Sequence, residues 1–286
     1  MSSNPLSNLP TESNFNLNLV AFQTIVIKEI NRFLRIWSQT LLPPVITQSL
    51  YFVIFGGVVG SQLKNIPIGN ASIPYMQFIV PGLVMMAVLT SAFSNTVSSF
   101  FGAKFQRNIE EMMVAPVPNW IIVAGYVIGG ALRGILVGLI VFCVAIVFNA
   151  VPKVENYFII SAFTILTAIV FSMAGLTNGI FAKKFDDVAI FPTFVLTPLT
   201  YLGGVFYPVT QLPPLSIPAL GYTDIYFWQN LSKLNPIVYM IDGFRYGFVG
   251  ISEFNVGLSF SFLVVVALFL GVINNHLLTK GTGMRS

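Results

Sequence analysis

Apolar residues in this chain come in long, nearly unbroken runs rather than in short alternating ones, and the runs recur along its length. A bilayer core of about 30 Å takes about 20 apolar residues per helix. Six runs meet that length and are predicted as spans, at about 43–60, 75–101, 120–148, 157–181, 188–206 and 256–273. Pro81 in the second, and Pro192 and Pro198 in the fifth, are tolerated in a membrane helix whose neighbours satisfy the freed carbonyls. The expected fold is all-α, a polytopic membrane protein with six transmembrane helices.

Two further patterns precede the spans. Residues 1–18 are rich in Ser, Asn and Pro with Glu12 as the one charge, and are expected to be a disordered tail. Over 19–40, Phe22, Val26, Ile30, Phe33 and Trp37 step by three or four, with Lys28, Arg32, Arg35 and Gln39 on the opposite face. That predicts an amphipathic helix at the membrane surface, although a helix packed on a soluble partner would show the same pattern. Residues 41–286 are expected to form one transmembrane domain.

Composition narrows the class. Only 8% of residues are charged, against about 25% in a soluble domain, which excludes a soluble globular protein. The net charge of +4 comes from Lys and Arg scattered at the ends of apolar runs, so no basic patch points to nucleic acid. With the N-terminus inside, the inner segments hold nine basic residues: Lys28, Arg32, Arg35, Lys104, Arg107, Lys183, Lys184, Lys280 and Arg285. The outer ones hold four, Lys64, Lys153, Lys233 and Arg245, so both termini are expected in the cytoplasm.

Catalytic chemistry is sparse. Each Asp and Glu lies in a loop or near a span end, which argues against an ion-coupled carrier. No GxxxxGK[ST] run occurs, so any nucleotide energy must come from another subunit, and no residue is assigned to catalysis, a cofactor or a metal. Cys143, the lone cysteine, is expected in packing, and His276, the lone histidine, in interfacial packing or headgroup contact.

Three places carry more information. In SSFFGAKFQRNIEEMMVAPVP, Ser98 to Pro118, Phe105, Ile109 and Met112 share a helical face, Arg107 and Glu111 are spaced as an i, i+4 pair, and Pro116 ends the helix. A solvated loop held by its own charge pair fits; a docking element for a cytoplasmic partner also accounts for the Phe and two Met. Farther on, Asn235 can cap a helix starting at Pro236, with Ile237, Ile241, Phe244 and Phe248 on one stripe and Asp242 and Arg245 as an ion pair on the other side. This segment is too short and too polar to span, and is expected at, or dipping into, the outer leaflet as a re-entrant helix; an ordinary surface helix is the alternative. Arg133 lies 13 positions beyond Trp120, about 20 Å into the bilayer. It shares a face with Gly129 and Gly130, and points inward to a functional cavity or to structural hydrogen bonds.

The runs RFLRIWSQTLLPPVIT, YMQFIVPGLVMM, SSFFGAKFQRNIEE, APVP, FAKKFDD, PTFVLTPLTYLGGVFYP and NPIVYMIDGFRYGF, in this order, resemble the ABC-2 type transporter permeases over nearly everything after Ala21. The resemblance implies a permease subunit in the bacterial inner membrane that pairs with a second copy of itself and with two copies of an ATP-binding cassette ATPase, which holds ATP and Mg. It implies export of a lipid-linked glycan, a polysaccharide or a hydrophobic compound. The segment from Lys104 to Val114 would be the coupling helix, its apolar face filling a groove on the ATPase and Phe105, Arg107, Ile109, Glu110, Glu111 and Met112 making the seat. Re-entrant helices would lie at about Thr223 to Phe248. One departure is an outer loop longer than is usual for the family between Pro214 and Trp228. An ion-coupled secondary transporter and a membrane-embedded transferase remain as competing classes, disfavoured by the absence of span carboxylates and of a polar reactive cluster.

Overall fold

The computed structural model describes residues 14–63, 65–68, 71–148, 150, 153–217 and 222–283. Most of the predicted tail, Lys64 and part of the long outer loop therefore lie outside the described residues. The first helix, α1 (Asn14–Arg35), begins five residues before the expected start at 19 and breaks at Ile36. Next, α2 (Trp37–Tyr51) runs through wide π-type turns at Phe52–Val59 into α3 (Gly60–Gln62), so Pro43 and Pro44 sit inside this helix instead of ahead of it. A hairpin follows, β1 (Asn65–Ile68) antiparallel to β2 (Ala71–Pro74) with Ile66 opposite Ile73.

Among the described residues, five helices are long and apolar enough to cross a membrane: Trp37–Val59, α4 (Tyr75–Phe105), α6 (Asn119–Val147), α7 (Tyr157–Phe181) and α12 (Val256–Thr279). The segment expected as the fifth span is helical from Phe185 to Tyr201 in three stretches, α8 (Phe185–Phe191), π-type turns at Pro192–Leu196 and α9 (Thr197–Tyr201). Pro192 and Pro198 donate no backbone hydrogen bond, which accounts for the irregular turns between them.

At the centre stands α4, buried over most of its length, whereas Trp37–Val59 is mostly exposed. Packing there depends on glycine: a Cβ at Gly134 of α6 would lie 2.8 Å from the Val88 carbonyl of α4, and one at Gly175 of α7 would lie 2.5 Å from that of Phe93. Between α4 and α6 lies the short α5 (Asn108–Val114). At the opposite end of the bundle are a second hairpin, β3 (Leu215–Ile217) with β4 (Tyr222–Ile225), then α10 (Phe227–Lys233) and α11 (Pro236–Val249).

Candidate functional site

The helix at the coupling position is shorter than its sequence pattern suggests. Arg107 adopts φ +62°, the one left-handed non-glycine backbone among the described residues, and so ends α4 and starts α5 in a sharp turn. Ala115, held extended ahead of Pro116, stops it. Because Arg107 precedes the helix, its side chain is not stacked over Glu111, and the expected i, i+4 ion pair does not form. Facing also differs from expectation. Ile109 is buried in the protein's own core beside Phe100, Ile122, Tyr126 and Ile180, and the Tyr126 hydroxyl donates to the sulfur of Met112 at 3.9 Å. The apolar face of α5 therefore seats the helix on its own chain. Asn108, Glu110, Glu111 and Val114 are exposed on the helix, and Phe105 and Arg107 are exposed just ahead of it. Phe105 packs its ring 4.9 Å from that of Phe185, which also meets Phe101 at 5.0 Å. Lys104 donates to the carbonyls of Ile180 and Ala182 at 2.9 and 2.7 Å, tying the end of α4 to that of α7.

A second cluster joins α1 to the bundle at the same end, and sequence reasoning missed its central residue. The buried row of α1 is Ile25, Glu29 and Phe33, which shares Phe33 with the row that apolar spacing selected and leaves Phe22, Val26 and Ile30 half-buried and Trp37 exposed. Glycine on α6 makes room for it, since a Cβ at Gly129 would lie 2.8 Å from Glu29 Cγ. The fully buried Glu29 carboxylate accepts from Ser99 Oγ at 2.6 Å and pairs with Arg32 at 3.3 Å and Lys28 at 3.7 Å. Arg32 also donates to the backbone carbonyl and side-chain oxygen of Asn95 at 3.0 and 2.7 Å. Arg133 reaches that side-chain oxygen at 3.4 Å from the other side and donates to the Thr40 carbonyl of α2 at 3.1 Å. Arg133 thus points inward, as its Gly-lined face suggested, and its partners are oxygens of α2 and α4. The available signal for Glu29 was its spacing, four residues from Ile25 on one side and from Phe33 on the other.

At the opposite end, α11 is not laid on a surface. Asn235 caps it as expected, accepting from the Ile237 N–H at 3.0 Å, and it also donates to the Leu199 carbonyl at 2.6 Å. Both faces of the helix are then enclosed by α4, α7 and α12, including Asp242 and Arg245. These two do not pair. Asp242 accepts from the backbone N–H groups of Glu253 and Phe254 at 2.9 and 3.1 Å, and burial raises its carboxyl to about 6. Arg245 donates to the Gly204 carbonyl at 2.7 Å and stacks over the Phe78 ring at 3.8 Å. Each turns to an unpaired backbone group close at hand, which an i, i+3 pattern does not reveal. Glu253 continues the chain of bonds, accepting from Val209 and Thr210 N–H at 3.3 and 3.1 Å. Cys143, expected in packing, is exposed on α6, and His276 is exposed near the end of α12.

Residues 20–249 match the family described as ABC-2 type transporter. The chain is 53% identical over 272 residues, 95% of its own length and 99% of the relative's, to the inner membrane transport permease YadH of Escherichia coli strain K12. It is 23% identical over 246 residues to nodulation protein J of Rhizobium leguminosarum bv. viciae, covering 85% and 90% of the two chains.

Proposed function

The chain belongs to the ABC-2 type transporter family, and from that premise we propose that it forms the export channel of an ATP-driven transporter, two copies pairing with two ATP-binding cassette ATPases. It is a permease, a multi-pass protein of the inner membrane, and its family implies the ATPase partner. In this proposal Phe185 to Tyr201 completes a sixth span, both termini and α5 face the cytoplasm, and α10 and α11 are the re-entrant cap on the outer side. The cargo class we propose is a lipid-linked glycan, a polysaccharide or a hydrophobic compound.

The observation that carries the proposal is the mounting of α5. Ile109 and Met112 fix this short helix to the bundle, Lys104 links its base to α7, and Phe105, Arg107, Glu110 and Glu111 face outward. Such a rigidly seated element with exposed charges around an aromatic anchor can pass a push from a docked ATPase to α4 and α7 together. Two other surfaces support pairing with a second copy. Trp37–Val59 and Phe185–Tyr201 expose Ile46, Leu50, Val58, Ile190 and Phe194, and Tyr51, Phe55, Tyr201 and Phe206 gather between them, with Phe55 and Phe206 stacked at 4.5 Å.

Purification of the tagged chain from membranes of a host that carries its ATPase tests this. Equal amounts of chain and ATPase are expected, with ATP hydrolysis stimulated by one of the candidate cargo classes. Phe105→Ala and the double change Glu110→Lys, Glu111→Lys should each reduce ATPase recovery by about tenfold, a loss of about 1.4 kcal/mol. Nucleotide-independent transport by the chain alone, collapsed by an uncoupler, would falsify the proposal in favour of a secondary transporter.

A further inference from the structure

At the end of the bundle that carries α5, a cleft of about 260 Å³ opens between α1 and the end of α4, lined by Lys28, Arg32, Ser98, Ser99, Gln106 and Asn108. Two of these are cations, Gln106 and Asn108 bring amide N–H groups, the Ser98 and Ser99 hydroxyls donate to Asn95 and Glu29, and none is acidic. The nearest carboxylate, Glu29, is fully buried beneath them and already accepts from Ser99. We propose that this cleft is a binding site for a phosphate-bearing anion, either the headgroup of an anionic lipid or free phosphate.

Three features argue for a built site over a chance gathering of surface charge. The cations are held in place. Lys28 is fixed by the Tyr126 hydroxyl at 3.2 Å and by the face of that ring, and Arg32 by Glu29 and Asn95 through Nε and Nη2. Both keep donor capacity, since an ammonium has three N–H groups and Arg32 Nη1 has no protein partner among the described residues. Holding the side chains beforehand removes most of the ordering cost of capturing an anion. Charge also favours it: Lys28, Arg32 and Glu29 sum to one positive charge, with Arg133 behind Arg32 adding another, so a phosphodiester is compensated. Depth is the third feature. Ser99 lies six residues before the end of α4 at Phe105, about 9 Å along the helix axis, where an apolar span gives way to the headgroup layer. The site stands whatever cargo the permease carries.

Native mass spectrometry of the delipidated full chain in detergent tests it. The probes are dioleoyl phosphatidylglycerol, dioleoylglycerol with the same chains and no phosphate, and inorganic phosphate. The unaltered chain should retain phosphatidylglycerol, and millimolar inorganic phosphate should displace it. Lys28→Gln, which removes one cation, and Gln106→Glu, which places a carboxylate in the lining from an exposed position and leaves the Glu29 bonds untouched, should each weaken retention by about tenfold or more. Dioleoylglycerol retention should be the same in all three chains. Binding of inorganic phosphate without the lipid, lost in Gln106→Glu, would identify free phosphate as the ligand of the same site. Phosphatidylglycerol and phosphate binding that are both unchanged in the two variants, or absent from the unaltered chain, would overturn the proposal. A thermal midpoint within a few degrees of the parent keeps a misfolded variant from being read as a lost site.

Discussion

Glu29 and Ser99, seventy residues apart, meet through a 2.6 Å hydrogen bond that fastens α1 to α4, and the same carboxylate is the counter-charge of Arg32 and Lys28. A buried carboxylate with these partners sets the position of α1 more sharply than its apolar contacts do. Glu29→Gln removes the counter-charge of two partly exposed cations that keep their bonds to Tyr126 and Asn95 and should cost about 2 kcal/mol, and Ser99→Ala about 1 kcal/mol. Thermal midpoints of the purified chain in one detergent check both; equal midpoints for Glu29→Gln and the parent would show that the cluster does not hold the helix.

Ile109 and the Glu110–Glu111 pair should separate stability from coupling. Ile109→Ala empties a site in the core beneath α5 and should cost roughly 3 kcal/mol of stability before any effect on a partner. The double change Glu110→Lys, Glu111→Lys alters exposed residues and should leave the midpoint within about 0.5 kcal/mol of the parent in stability. Unfolding curves measured beside ATPase co-purification distinguish the two.

Arg133 bridges α2 and α4 with two donors of one planar fork. Lys carries its donors on a single nitrogen, so Arg133→Lys can keep one contact and should lose about 1 kcal/mol, whereas Arg133→Leu loses both and leaves the Asn95 oxygen to Arg32 alone. Trypsin sensitivity of the α1–α2 junction in native membranes should rise in the order parent, Lys, Leu.

Asp242 should make stability depend on pH. Its folded value of about 6 lies above the 3.8 of the free side chain, so between these values the folded protein holds a proton that the unfolded chain has released. The stabilisation is therefore complete below about pH 3.8, falls as pH rises toward 6 and is flat above, a change of about 3 kcal/mol. Asp242→Asn should flatten the midpoint between pH 4 and 6. Parallel profiles for the two proteins would remove Asp242 as the cause.

Side of exposure is tested with single cysteines in a Cys143→Ser background. Ser72→Cys and Lys153→Cys should react with an impermeant thiol reagent from outside the inner membrane, and Asn108→Cys and Lys183→Cys should react only after lysis. The reverse pattern would move α5 to the outer side and leave it without an ATPase to meet.

The helices along this chain were legible because their cause is local. A run of about 20 apolar residues needs only its own length to be read as a span, and Asn235 before Pro236, or Pro116 after Ala115, marks a helix end by backbone chemistry within a few residues. The sequence by itself therefore determined the class, the order of the helices and the presence of short helices at α5 and α11. Partners were decided only by the tertiary structure. Glu29 reads as a polar residue near a charged face until Gly129 on α6, a hundred residues later, admits it to the interior beside Ser99. Ile109 reads as a docking residue until Phe100 and Ile180 close over it, and Asp242 reads as the partner of Arg245 until the loop at Glu253 offers it two N–H groups. Hydrophobic periodicity reports how apolar a face is, and it carries no information on which distant backbone groups and glycine gaps will meet that face. For a buried charge that meeting decides everything, because in a low-dielectric interior a carboxylate or guanidinium settles wherever compensating donors or acceptors lie within about 3 Å.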